Sequence, residues 1–143
     1  MNLKLNENAI FLNQKSLSKE EAIVAAGEKL VELGCVDTNY IKYMLEREKV
    51  MTTYMGMGIA IPHGTNEAKG HINNSGVVFL QYPNGVDFDG EKAYLIIGIA
   101  GKGDEHLEIL SNIAINISDE LVDKLKATTD KSDFINAFDF KEE

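Results

Sequence analysis

Three continuous apolar runs of strand length, at residues 59–62, 77–82 and 94–100, constrain this chain more than anything else in its sequence. A strand with one wet face alternates apolar and polar residues, whereas a run that is apolar at nearly every position needs cover on both faces. The runs therefore predict a central sheet buried between two layers. Pro83-Asn84-Gly85 and Asp89-Gly90 mark turns between the second and third runs.

Helical patterns on either side of the runs supply the cover. Ser18-Lys19-Glu20-Glu21 is a capping box, after which Ala22, Ile23, Ala26, Leu30 and Leu33 recur at helical spacing until Gly34 ends the pattern. Tyr40, Ile41, Met44 and Leu45 form a second helical stripe running to about 47–49, and Lys42, Arg47 and Lys49 suit its carbonyl end. After Gly101-Lys102-Gly103, Asp104 is placed to cap a helix whose predicted buried stripe is Leu107, Leu110, Ile113, Ala114 and Ile117. Ser118 is placed to cap another, with Leu121, Val122 and Leu125 inward, and an amphipathic segment at 134–138 precedes a charged tail. These elements predict a single α/β domain over residues 1–143, with a central mixed β-sheet covered by helices on both faces.

Composition closes several classes. With 23 acidic against 14 basic residues, net charge −9, the chain has no basic stripe for a nucleic-acid backbone. No apolar stretch approaches the roughly 18 residues that cross a bilayer, and the N-terminal residues lack the basic and apolar regions of a signal peptide, so a cytoplasmic protein without membrane insertion is expected. The one cysteine, Cys35, reads as a small buried hydrophobe and excludes an intramolecular disulfide and a Cys-rich zinc site. There is no Gly-x-Ser-x-Gly elbow, no Gly-x-x-x-x-Gly-Lys-Ser/Thr loop and no closely spaced His pair, so neither serine hydrolysis, nucleotide binding of that kind nor a metal is expected.

Three histidines remain. His63 follows an apolar run and stands between Pro62, which fixes φ, and Gly64, which lets a partner approach closely. His106 falls in the first turn of the helix after the run at 94–100. Both positions lie where strands give way to loops and helices, the edge at which functional groups gather in open α/β sheets, so the two rings can converge. His71, between Lys69-Gly70 and Ile72-Asn73-Asn74, reads as a solvated loop residue. Taken alone, the residues leave His63 open between an ordinary turn imidazole and one presented to another molecule.

Leu45-Glu46-Arg47-Glu48, Thr52-Thr53-Tyr54-Met55-Gly56 and Gly58-Ile59-Ala60-Ile61-Pro62-His63-Gly64-Thr65 resemble the active-site region of enzyme IIA of the mannitol/fructose class in the bacterial phosphoenolpyruvate:sugar phosphotransferase system. Gly76-Val77-Val78-Phe79-Leu80-Gln81-Tyr82-Pro83-Asn84-Gly85-Val86, and Gly98-Ile99-Ala100 through Glu105-His106-Leu107, match as well, closest to the mannitol branch. The likeness covers nearly the whole chain, as a single type-2 EIIA domain. It implies a phosphotransferase that takes a phosphoryl group from the phosphocarrier HPr onto Nε2 of His63. The group then passes to a cysteine of the cognate enzyme IIB of a mannitol-type permease during uptake of mannitol or a related polyol. The family's second active-site histidine falls on His106 and its arginine on Arg47, and no cofactor or metal is implied, because the donor arrives already phosphorylated. The chain carries neither the cysteine loop of a IIB domain nor the spans of a IIC domain, so a free-standing IIA is expected.

The residue types suit these roles. Neutral imidazole is a nucleophile near pH 7, and Arg47 and His106 can meet the charge spread over transferring phosphoryl oxygens. Met51, Tyr54, Met55 and Met57 are expected to form an adaptable apolar patch around His63 for HPr and IIB in turn. Two further readings are a regulatory IIA-like protein that signals through the phosphorylation of His63, and a plain interaction module in which His63 only forms hydrogen bonds.

Overall fold

The computed structural model describes residues 5–138. Five strands, β1 (Ile10–Phe11), β2 (Tyr54–Gly56), β3 (Ile59–Ala60), β4 (Gly76–Phe88) and β5 (Glu91–Ala100), join one sheet in the order β1-β4-β5-β3-β2. The β4/β5 and β2/β3 pairs are antiparallel, whereas β1 on β4 and β3 on β5 are parallel. The sheet is mixed, as the sequence predicts.

Alternation along β4 and β5 explains why their runs are apolar at successive positions. Val78, Leu80, Tyr82 and Ile96 pack on one side with Ile23, Ala26, Leu30 and Met44, from helices α1 (Lys19–Glu32) and α2 (Tyr40–Val50). Val77, Phe79, Leu95, Ile97 and Ile99 pack on the other side with Ile109, Ile113, Leu125 and Phe134, from α3 (Glu105–Asn116), α4 (Asp119–Leu125) and α5 (Ser132–Ala137). Each face is a dry layer, so β4 is buried at every position from Gly76 to Tyr82 and β5 at every position from Leu95 to Ala100. The capping box forms as expected, with Ser18 Oγ accepting from Glu21 N and Glu21 Oε1 accepting from Ser18 N, both at 3.2 Å. Ser118 caps α4 by accepting from Leu121 N at 3.1 Å. Among the described residues, no helix is long and apolar enough to cross a membrane.

Two expectations change and two short strands are added to those the sequence predicts. Pro83-Asn84-Gly85 is a bulge inside β4, where the pairing register shifts between Gln81 and Val86, and the chain reverses only at Asp89-Gly90. Pro83 is tolerated because β1 pairs only with Phe79 and Leu80, which leaves the outer edge of β4 without a partner that would need an N–H there. The strands β1 and β2, two and three residues long, are too short to show a period. In α3 the buried positions are Ile109 and Ile113, while Leu107 and Ala114 of the predicted stripe are exposed. The charged C-terminal tail lies outside the described residues.

Candidate active site

Beyond β3 the chain continues alongside β5, where Pro62 O accepts from Ile99 N at 3.0 Å and His63 pairs in parallel with Ile99. Pro62 brings no N–H that would need a partner. His63 is consequently anchored at the end of the central sheet and is only 8% exposed. Its Nδ1 lies 2.7 Å from the Ile61 carbonyl oxygen. A carbonyl can only accept, so Nδ1 carries the proton in the neutral ring and Nε2 carries the lone pair.

Tyr40, the first residue of α2, secures the chain after the ring. Its hydroxyl donates to Ile99 O and accepts from Gly64 N, each at 2.8 Å. The ring lies so close that a Cβ at Gly64 would stand 2.8 Å from it and 2.9 Å from Ala68, which explains the glycine after His63. Removing only the hydroxyl, in Tyr40→Phe, leaves a buried N–H and a buried carbonyl unpaired. We expect a loss of about 1–3 kcal/mol in urea unfolding; an unchanged midpoint would show that this bridge holds nothing.

His106 arrives from the opposite layer. His106, Ile109, Ile113 and Ile117 fall at i, i+3, i+7 and i+11, which puts the imidazole on the face of α3 that meets the sheet. Ser75 Oγ donates to Glu105 Oε1 at 2.5 Å and accepts from Lys102 N at 2.9 Å, tying the start of α3 to the start of β4. The His63 and His106 ring centroids stand 4.9 Å apart with planes inclined by 56°. Arg47, in the last turn of α2, donates from Nη1 to Met51 O at 2.6 Å, and its charge acts on both imidazoles. The three residues singled out in the sequence thus gather at one place. His71 does not join them: its Nδ1 is 2.8 Å from Asp37 Oδ2 and its ring stacks on Tyr43.

Burial, foremost, pushes the pKa of His63 down to about 4; the Ile61 carbonyl and the Glu48 carboxylate work against that, and His106 and Arg47 add to it. His106 is lowered by burial first, then by Arg47 and Lys69. Both rings are therefore uncharged at neutral pH. Between about 4 and the ordinary value of 6.5, the unfolded chain binds a proton at position 63 that the folded chain refuses. Stability should accordingly fall as pH drops through that window, by up to about 3 kcal/mol. Urea titrations at pH 7 and pH 4.5 check this: the wild type should lose more stability on acidification than His63→Gln, and equal losses would contradict it.

Two features of the site were not anticipated. Glu48 is buried at 8% exposure and bonds Thr53. It continues the row Tyr40, Met44, Glu48 at i, i+4, i+8, so its inward position was readable from the stripe. Leu107, beside His106, is 64% exposed and lines a cavity of about 260 Å³ together with Tyr40, Thr65, Lys69 and His106.

The expected apolar patch is divided. Val50 and Met51, next to Arg47, are 79% and 66% exposed. Met57, however, sits in the β2–β3 turn. The pairing of Ile59 with Leu95 and of His63 with Ile99 separates the two ends of this stretch by about 13 Å along the sheet. Tyr54 is tied to the same far end, donating to Lys92 O and accepting from Gly58 N, each at 3.1 Å. Among the described residues, no three His, Cys, Asp or Glu side chains gather as metal ligands would. The arrangement is that of a neutral, oriented imidazole nucleophile beside a guanidinium and a second ring, suited to an anionic electrophile.

A family model described as phosphoenolpyruvate-dependent sugar phosphotransferase system, EIIA 2, matches residues 4–141. The chain is 53% identical over 115 residues to the mannitol-specific phosphotransferase enzyme IIA component of Staphylococcus aureus (strain Mu50), covering 80% of this chain and 79% of that one. It is 45% identical over 137 residues to part of the mannitol-specific EIICBA component of Vibrio cholerae, covering 93% of this chain and 21% of that one. Its fold is similar to that of a chain in the solved complex of enzyme IIAMTL and phosphorylated enzyme IIBMTL from Escherichia coli, with a TM-score of 0.89 and 40% identity over 94% of this chain and 96% of that one.

Proposed function

The chain belongs to the EIIA 2 family of the phosphoenolpyruvate-dependent sugar phosphotransferase system, and on that premise we propose that it is a cytoplasmic, single-domain phosphocarrier for uptake of mannitol or a related polyol. It takes a phosphoryl group from phospho-HPr onto His63 and hands it to a cysteine of its cognate enzyme IIB. The observation that carries this reading is the hydrogen bond from Nδ1 of His63 to the Ile61 carbonyl, which leaves Nε2 as the nucleophile on a buried, neutral ring.

Phosphoryl transfer needs in-line approach and complementary charge more than covalent help. Arg47 supplies the fixed positive charge, and His106 offers an N–H to an oxygen of the transferring group. Val50 and Met51 on one side and Leu107 on the other form the apolar surface against which HPr and IIB dock in turn. Because the donor is already phosphorylated, neither metal nor nucleotide enters the reaction.

The test is intact mass after incubation with enzyme I, HPr and phosphoenolpyruvate, with and without acid treatment. A gain of one phosphoryl group that acid removes, and that IIB also removes, supports the relay. An active donor system that leaves the mass unchanged ends it.

A further inference from the structure

Glu48 takes no part in the relay as described, yet its setting is costly. Oε1 accepts from Thr53 N at 2.9 Å and from Thr53 Oγ1 at 2.6 Å, while Oε2 is buried without a hydrogen-bond partner. A carboxylate desolvated in this way destabilises a fold unless its charge serves something.

Two routes lead from it to His63. Through bonds, Glu48 fixes Thr53, the Thr53 carbonyl accepts from Ile61 N at 3.0 Å, and the Ile61 carbonyl holds Nδ1 of His63. Through space, its charge favours a cationic ring at His63, against the burial, Arg47 and His106 that disfavour one. The remaining charges nearby face other groups: Lys69 acts on His106, and Lys19 from α1 interacts with Glu48 itself.

The chemistry creates such a cation. As the Nε2 lone pair forms the N–P bond, the donor's bond to phosphorus breaks and its electron pair leaves on the donor. The ring keeps its Nδ1 proton and becomes a phosphorylated imidazolium. On transfer to IIB the N–P pair returns to Nε2 and the ring is neutral again. No proton moves, so the charge on the ring is met by the phosphoryl oxygens it carries and by the protein groups around it.

We propose that Glu48 is a positioning residue of this relay: its buried carboxylate orients His63 through Thr53 and Ile61 and balances the positive charge the ring carries while phosphorylated. The inference rests on the phosphocarrier reading. Glu48→Gln keeps an acceptor for Thr53 and removes the charge, whereas Thr53→Val keeps the charge and removes one hydrogen bond.

We expect Glu48→Gln to slow phosphorylation by phospho-HPr about tenfold, the size of one through-space charge interaction, at unchanged KM. Its His63 resonances should also titrate at lower pH by NMR. Thr53→Val should slow the step less than about threefold. Should Glu48→Gln not fold, Glu48→Leu/Thr53→Val, in which only Thr53 N–H loses its partner, enters the same assay with the same expected loss. A kcat within twofold of wild type, a change confined to KM, or equal losses in Glu48→Gln and Thr53→Val would overturn the inference while leaving the phosphocarrier reading intact. Wild-type protein left unmodified in the same mixture would remove both.

Discussion

His63→Ala is expected to abolish phosphoryl acceptance, with a loss of more than about a thousandfold, because it removes the nitrogen proposed to form the N–P bond. His106→Ala and Arg47→Ala should behave differently. Each leaves the nucleophile in place and removes one source of charge complementarity, so acceptance should fall by about a hundredfold and transfer to IIB by somewhat more. A time course of intact mass, first with phospho-HPr and then after addition of IIB, separates the two half-reactions. Full relay activity in His63→Ala would move the chemistry to His106 or His71.

The second large effect is expected at a position with no functional group. A Cβ at Gly101 would stand 2.4 Å from Cα and 2.6 Å from N of His106. These are backbone atoms, so no rotamer change relieves the clash, and α3 must move off the end of β5. Gly101→Ala should destabilise the protein by about 2–4 kcal/mol and slow the relay by about a hundredfold, because the second ring leaves its place beside His63. Gly70→Ala is the control: a Cβ there meets nothing within 4 Å, and its effect should stay within about 0.5 kcal/mol. Wild-type unfolding and relay rates in Gly101→Ala would contradict the close approach of β5 and α3.

The large features were legible because they rest on repetition. The runs at 77–82 and 94–100 are apolar on alternate residues twice over, once for each face of the sheet, and only a doubly covered sheet needs that. The helix starts at Ser18 and Ser118 are local chemistry, complete within four residues. Placing His63 and His106 together required only that both follow strands of one sheet. What escaped the sequence depends on rotation and on distant neighbours. The sequence pattern puts Leu107 inward because the α3 stripe can be drawn on either of two adjacent faces, and the choice is made by His106, a polar residue that packs against the sheet. Pro83-Asn84-Gly85 has the composition of a turn, and only the shortness of β1 reveals why it can remain a strand. Met57 precedes His63 by a few residues in the chain, but an extended backbone carries that small separation to the far end of the sheet.

In the proposed relay, the oxygen that selects the reacting nitrogen of His63 belongs to the main chain, at Ile61, and not to a side chain. A side-chain acceptor can be lost in one substitution, and with it the choice between two chemically similar atoms. A carbonyl persists through any replacement at position 61 that preserves the local path of the chain. On that proposal, mutation around the ring can alter how fast the protein passes its cargo, while the atom that carries the cargo is inherited with the fold.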